Sequence, residues 1–298
     1  MLPAKIIERY RVRKGSEFRL ADIDPADTCR LDIEKDEAKA LLATGVKRLA
    51  ALQERLYADR RWAILVILQG IDTSGKDGVI KHVMSGVNPQ GCEVHSFKAP
   101  SDLELAHDYL WRSTIALPAR GCIGIFNRSY YEETLVVRVH PELLEKQRLP
   151  KKLITDDIWD QRFEDINNFE LHLARNGIVP VKFFLHISKE EQLRRLVARI
   201  DDPDKRWKFS LYDVQERKLW ESFLEAYELT VRHTATKSAP WHVVPSDHKW
   251  FTRLVVAATL VELMEGLDLK FPKLDETGLQ ALQNARAELL GEAPKKIP

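Results

Sequence analysis

The sequence predicts an α/β fold, three layers deep (α/β/α), with helices on both faces of a mainly parallel five-stranded sheet and a helical lid beside it. Three observations carry that expectation. Five short apolar runs lie along the chain, at 63–70, 92–97, 122–126, 179–187 and 241–244. Long stretches of helical periodicity separate them, which calls for crossover connections and parallel pairing. The first run, Ala63–Gly70, is apolar without alternation, as in a strand buried on both faces.

In chain order, residues 1–34 mix charge, Pro and Gly and read as an irregular arm. From Glu34 to about Arg60, the apolar residues Ala38, Leu41, Leu42, Val46, Leu49, Leu52 and Leu56 recur at helical spacing. Further helices are expected over 103–117, 156–176, 190–200, 213–233 and 248–265. The boundaries that follow are an N-terminal arm at 1–34, a main domain at 35–270 with its lid at about 189–217, and a C-terminal tail at 271–298. Ligands of such sheets sit beyond the carboxyl ends of the strands. The loop at Gly70 and the residues after Phe126 and Ile187 are therefore expected to converge.

Composition narrows the partners. Lys and Arg total 46 against 45 Asp and Glu, a net charge of +1, so a polyanion must be met by a local cluster and nucleic acid is not expected. The 3 cysteines are an odd number without paired spacing, which suggests a reducing compartment and no structural zinc. The first residues are too charged for a secretory signal, and the longest apolar stretch, 254–264, falls well short of the ~20 residues that span a bilayer. A cytoplasmic protein without a membrane partner is expected. Apolar positions on the helix after Glu34 and on 248–265 are open to a homo-oligomeric interface or to the core.

Gly70-Ile-Asp-Thr-Ser-Gly-Lys76 matches G-x-x-x-x-G-K between a buried strand and an expected helix. Glycines at 70, 75 and 78 let backbone N–H groups approach phosphate oxygens, the helix start adds a positive dipole, and Lys76 bridges phosphates. The alternative is a glycine-rich turn with an exposed lysine. Two carboxylates, Asp72 and Asp77, sit oddly in a phosphate loop. A divalent cation between carboxylate and phosphate turns repulsion into attraction, since Mg²⁺ takes oxygen ligands from both. Asp72 is the candidate metal ligand; Asp77 is open to metal or phosphate work, or to complementing the helix dipole.

The next strand ends in FNRSYYEE, 126–133, with Asn127 where a phosphotransfer site usually carries an Asp for magnesium. Asn127 offers a neutral oxygen to the metal, and Arg128 is suited to bidentate phosphate contact. After Ile187, Arg194, Arg195, Arg199, Lys205, Arg206 and Lys208 gather in a segment that is either a solvated face or an arginine-bearing lid that excludes water. Lys81, Lys98 and Arg112 extend the cationic set more weakly. The 9 histidines show no zinc-ligand spacing.

Taken together, GIDTSGKDG, HVMSGVNPQGCEVHSFKAPS, HDYLWR, GIFNRSYYEE and LHISKEEQLRRL with WKFS resemble the polyphosphate kinase 2 family over roughly residues 35–270. The resemblance implies a P-loop kinase-like fold that moves phosphoryl groups between inorganic polyphosphate and nucleotides with Mg²⁺ (or Mn²⁺). It places Asp72, Lys76 and Arg128 in catalysis. Gly75, Lys76, Asp77, Gly78, Lys81, Arg128, Arg195, Arg199 and Lys208 fall to polyphosphate binding, and Asp72 and Asn127 to the metal. Where many members have Asp-Arg-Ser-Trp-Tyr-Asn-Arg, this chain has Asn127-Arg-Ser-Tyr-Tyr-Glu-Glu133. That form is similar to the class III branch, which phosphorylates nucleoside mono- and diphosphates. That makes Glu132 a candidate for the acceptor-nucleotide site, where Asn127, Lys98 and Arg112 are expected as well. Two other readings compete: an ATP-dependent kinase of a small metabolite, and a nucleotide-binding module in which Asn127 marks lost catalysis.

Overall fold

The computed structural model describes residues 2, 4–31 and 33–292; the ends of the arm and tail boundaries drawn above fall partly outside them. In chain order the elements are α1 (Ala4–Arg9), β1 (Arg11–Val12), α2 (Lys35–Asp59), β2 (Ala63–Gln69), α3 (Lys76–Val83), β3 (Cys92–Ser96), α4 (Asp102–Leu105) and α5 (Trp111–Thr114). There follow β4 (Ile123–Asn127), α6 (Val136–Val139), α7 (Ile158–Arg175), β5 (Ile178–His186), α8 (Lys189–Asp201), α9 (Leu211–Lys218), α10 (Trp220–Thr234), β6 (Trp241–Pro245), α11 (Lys249–Glu265) and α12 (Glu276–Glu292).

The sheet has the order β1-β6-β5-β2-β4-β3. The five expected strands all pair in parallel, and a sixth joins them. β1, from the stretch read as an irregular arm, pairs antiparallel with β6 through Arg11 opposite His242 and Val12 opposite Trp241. Two residues with one apolar member leave no periodicity to read, so the sequence did not reveal it.

β2 shows why its run is continuous. Ile64, Val66 and Leu68 enter one core with Leu49, Leu56 and Val255, while Leu65 and Ile67 enter the other with Phe126, Phe184 and Trp241. Every residue of β2 is buried. Each aliphatic side chain so buried contributes about 1.5–3 kcal/mol, which fixes the strand at the centre of the molecule. α11 has the same logic from outside: Phe251, Val255, Val256, Leu260 and Val261 are buried, so these apolar residues serve the core.

Two expected helices are divided. The stretch 103–117 becomes α4 and α5, because the Asp108 carboxylate accepts from the Leu110 N–H at 2.9 Å and turns the chain between them. The stretch 213–233 breaks at Leu219, where α9 of the lid ends and α10 begins on the buried Trp220 ring. The segment expected as a tail contains α12, whose described side chains are almost all exposed. No helix among the described residues is long and apolar enough to cross a membrane.

Candidate active site

β2 lies between β5 and β4, so the loop leaving it opens at the point where the sheet changes direction. The three expected strand ends do meet there. The Arg128 N–H donates to Leu68 O at 3.0 Å, and the Ser246 N–H beyond β6 donates to His186 O at 2.8 Å. The loop itself is tightly packed. A Cβ on Gly70 would fall 2.8 Å from Leu185 O, and Gly75, at φ +110°, occupies backbone space that side chains avoid. Thr73 at φ +68° and Arg128 at φ +63° adopt the left-handed region without being glycine, a strain characteristic of functional loops.

Lys76 is the first residue of α3 and is buried; its ammonium donates to Gly70 O at 2.6 Å. Burial, reinforced by the Arg128 guanidinium, pushes its pKa down to about 8, against the opposing pull of Asp72, Glu132 and Asp77. Asp77 is exposed in the first turn of α3, where its charge complements the dipole, and its carboxylate accepts from Asn127 Nδ2 at 2.9 Å. The bond orients Asn127 with its Oδ1 still available as a ligand.

Asp72 is charge-balanced within the protein. Arg128 Nη2 donates to its Oδ1 at 2.5 Å, and Arg128 Nη1 donates to Glu132 Oε2 at 2.9 Å. The two carboxylates hold the Arg128 pKa well above its ordinary range despite burial, so the guanidinium is permanently charged. The loop's acidic residue is thus neutralised first by an arginine. A hard divalent cation fits the remaining donors: carboxylate oxygens of Asp72 and the amide oxygen of Asn127, with phosphates to complete the shell. Among the described residues no cluster of three or more His, Cys, Asp or Glu side chains could hold a metal by itself.

Asp72, Arg128 and Glu132 form the base of a cleft of about 1340 Å³, above the usual range for a small-molecule site. One wall carries Lys98 and Arg112, joined by an Arg112 Nη1 to Lys98 O bond of 2.8 Å, with the guanidinium 5.3 Å from the Phe97 ring centroid. The segment expected as a lid, α8 and α9 with the turn between them, contributes Gln192, Lys208, Tyr212 and Glu216. Gly75, Lys76, Asp77, Gly78, Lys81 and Asn127 do not line the cleft, and Lys81 is exposed on α3.

The lid cations divide. Arg195 is buried beneath the loop: Nη1 donates to Thr73 O and Ser74 O at 2.9 and 3.2 Å, Nη2 to Ser246 O and Asp247 O at 2.5 and 3.0 Å, and Nε to Glu191 at 2.6 Å. Every N–H bearing nitrogen of its guanidinium is engaged by protein. Arg199 braces the lid, reaching Lys208 O at 3.3 Å and Asp213 at 3.4 Å. Lys208 alone of the three faces the cleft.

Sequence reasoning missed a second polar group on the cleft wall. Glu133, buried, accepts from Gln147 Nε2 at 2.9 Å and Arg162 Nε at 3.0 Å, and burial pushes its pKa up. Arg162 stacks 4.3 Å from the Tyr109 ring centroid, and the Tyr109 hydroxyl is buried without a partner among the described residues. Glu133 stood in view beside Arg128; Arg162 is one charge on a long amphipathic helix and gave no signal.

Known proteins resemble this arrangement closely. The family model for Polyphosphate kinase 2 matches residues 32–272. The ADP-polyphosphate phosphotransferase of Rhodopseudomonas palustris is 49% identical over 284 residues, spanning 95% of this chain and 98% of its own. The AMP/ADP-polyphosphate phosphotransferase of Meiothermus ruber is 44% identical over 267 residues, 90% and 96% of the two chains. The crystal structure of Polyphosphate Kinase 2 from Arthrobacter aurescens TC1 superposes with a TM-score of 0.83 at 41% identity, covering 92% of this chain and 95% of that one. The chain is a phosphotransferase enzyme and belongs to the polyphosphate kinase 2 family.

Proposed function

We propose that residues 35–270 form a polyphosphate:nucleotide phosphotransferase that carries a phosphoryl group from inorganic polyphosphate to AMP and/or ADP, with guanine nucleotides as further candidate acceptors, reversibly. The observation that carries this reading is the large cleft meeting the phosphate loop at Asp72, Arg128 and Glu132. A nucleotide enters from the cleft side, with its phosphates toward Arg128. The polyphosphate end approaches from the Lys76 side of the loop. An acceptor phosphate oxygen attacks the terminal phosphorus in line, the bridging P–O bond breaks, and the donor leaves one unit shorter. An acceptor phosphate is already ionised, so no strong general base is needed.

Arg128, fixed in charge and gripped by Glu132, is set to hold the transferring group. Asp72 and Asn127 would hold Mg²⁺ (or Mn²⁺), which supplies charge neutralisation between donor and acceptor oxygens. Lys98 and Arg112 flank the acceptor. Lys208, moving with the lid, would close over the phosphates and exclude water.

The test is an acceptor scan: AMP against ADP and GMP against GDP, with Mg²⁺ and polyphosphate, products separated by chromatography. ATP or ADP formation is expected from the adenine nucleotides. No product from any nucleotide would defeat the reading. Turnover of ATP with a small metabolite, and none with polyphosphate, would replace it.

A further inference from the structure

Behind the Arg128 turn lies a fully buried ionic cluster that the chemistry above does not use, and of its members only Tyr130 lines the cleft. Lys182, in the centre of β5, and Glu170, on α7, are 0% and 1% exposed. Lys182 Nζ donates to Glu170 Oε2 at 2.6 Å, to Tyr131 Oη at 2.9 Å and to Thr234 O at 2.8 Å, so all three of its protons have acceptors. The hydroxyls of Tyr130 and Tyr131 donate to Glu170 Oε1 at 2.9 and 2.7 Å. Trp241 Nε1 closes the cluster on Thr234 Oγ1 at 2.8 Å.

The two tyrosines sit between Arg128-Ser129 and Glu132-Glu133. Their rings therefore fix the turn that carries the cleft's arginine and its carboxylate partner. The same lysine holds the carbonyl at the end of α10, the helix that follows the lid. α10 is tied to the turn again where Thr230 Oγ1 donates to Thr134 Oγ1 at 3.0 Å. A buried ion pair is a poor source of stability by itself, since desolvation offsets its attraction. What this one supplies is direction: each donor and acceptor is matched in only one placement of the turn.

We infer that the Lys182–Glu170 pair, acting through Tyr130 and Tyr131, is a positioning device that holds Arg128 and Glu132 at the acceptor phosphate and fixes them relative to the lid's following helix. Arg128 stands at φ +63°, a conformation the turn must be forced to keep, and the cluster is the anchor that forces it. The inference rests on the function proposed above only in naming the nucleotide as the bound group.

The experiment compares Tyr131→Phe and the paired apolar replacement Lys182→Met with Glu170→Leu against the parent chain. Each is also made in an Arg128→Ala background. Nucleotide Kd is measured by calorimetry, kcat by phosphoryl transfer, and folding by thermal melting. The expected result is a nucleotide Kd raised about tenfold with kcat lowered about tenfold for the pair, and a smaller loss of the same kind for Tyr131→Phe. In the Arg128→Ala background the same changes are expected to cost less than about twofold, because the arginine they position is gone and Glu132 has lost the partner through which it acts. Folded variants with unchanged Kd and kcat would overturn the inference, as would an equal penalty with and without Arg128. If the paired replacement does not fold, Tyr131→Phe decides by the same two criteria. Since nucleotide binding is read without polyphosphate, failure here is distinguishable from failure of the polyphosphate reading.

Discussion

The floor of the phosphate loop and the lid above it hold their cations in opposite ways. On the floor, Lys76 and Arg195 are buried and spend their N–H groups largely on backbone carbonyls of the loop itself. In the lid, Arg194 pairs with Glu191 one turn back, Lys205 pairs with Asp202, and Lys208 is exposed beside Trp207, which is 77% exposed. Backbone acceptors cannot move without the fold, whereas local ion pairs travel with their helix. On the function proposed above, the floor would act as a rigid receptor for phosphate and the lid as a movable carrier of charge. Arg194 and Arg195 are neighbours on α8: Arg195 ties that helix to the loop, while Arg194 pairs only within it.

The largest effect is expected on the floor. Lys76→Met removes the cation proposed to meet the phosphates and should lower kcat by about 10²–10³-fold. It also removes a buried charge whose ordinary pKa burial opposes, so the melting temperature should stay or rise. Phosphoryl-transfer rates and a melting curve check both halves. A large stability loss with retained activity would show that Lys76 holds the loop together and that the contrast is misdrawn.

Arg195→Ala should behave in the reverse order. It strips a partner from four carbonyls, those of Thr73 and Ser74 in the loop and of Ser246 and Asp247 beyond β6, and from Glu191, and the expected loss is about 3 kcal/mol of unfolding free energy. Urea titration reads this directly. A variant as stable as the parent, but with a raised polyphosphate KM, would return Arg195 to the phosphate-binding role that the sequence suggests.

The low pKa of Lys76 gives a sharper probe of the floor. Its folded value of about 8 lies below its ordinary 10.5, so the folded protein binds fewer protons between those limits. Stability from this group therefore rises as pH climbs from about 8 toward 10.5, and its burial cost is fully present below about 8. A polyanion favours the charged form, so binding at pH 9 should take up about one proton. Calorimetry in two buffers of different ionisation enthalpy measures it. Uptake absent from the parent, or persisting in Lys76→Met, would reject the assignment.

How much of this was legible depended on whether the signal was periodic, local or distant. The continuous run in β2 and the glycine-lysine loop announced themselves, because burial on both faces and close backbone approach leave few residue choices. Asp72 was legible as anomalous but not its partner: Arg128 is 56 positions away and the 2.5 Å contact depends on how β4 pairs with β2. Arg195 was read by type, as a phosphate-seeking lid arginine, since nothing local marks which side of α8 faces the loop. Lys182 was hidden inside an apolar run whose strand character it does not disturb. The two-residue β1 and the α4–α5 break turn on single side chains, Asp108 among them, below the resolution of any pattern.

The smallest expected effect lies in the lid, and it separates a carrier of charge from a receptor. Lys208 is exposed, faces the cleft and makes no ion pair with a described residue. Its attraction for phosphate therefore crosses solvent and is screened over about 8–10 Å at ordinary ionic strength. Lys208→Ala should raise the polyphosphate KM only a few-fold, equivalent to about 0.5–1 kcal/mol, with the melting temperature unmoved. In concentrated salt the parent and the variant should converge, since the parent's advantage is electrostatic and exposed. For Lys76, enclosed by the loop, the same salt should leave the gap to its variant nearly intact. Measuring KM for both pairs at low and high ionic strength tests the contrast itself: equal salt sensitivity at the two positions would mean that floor and lid meet the polyanion in the same way.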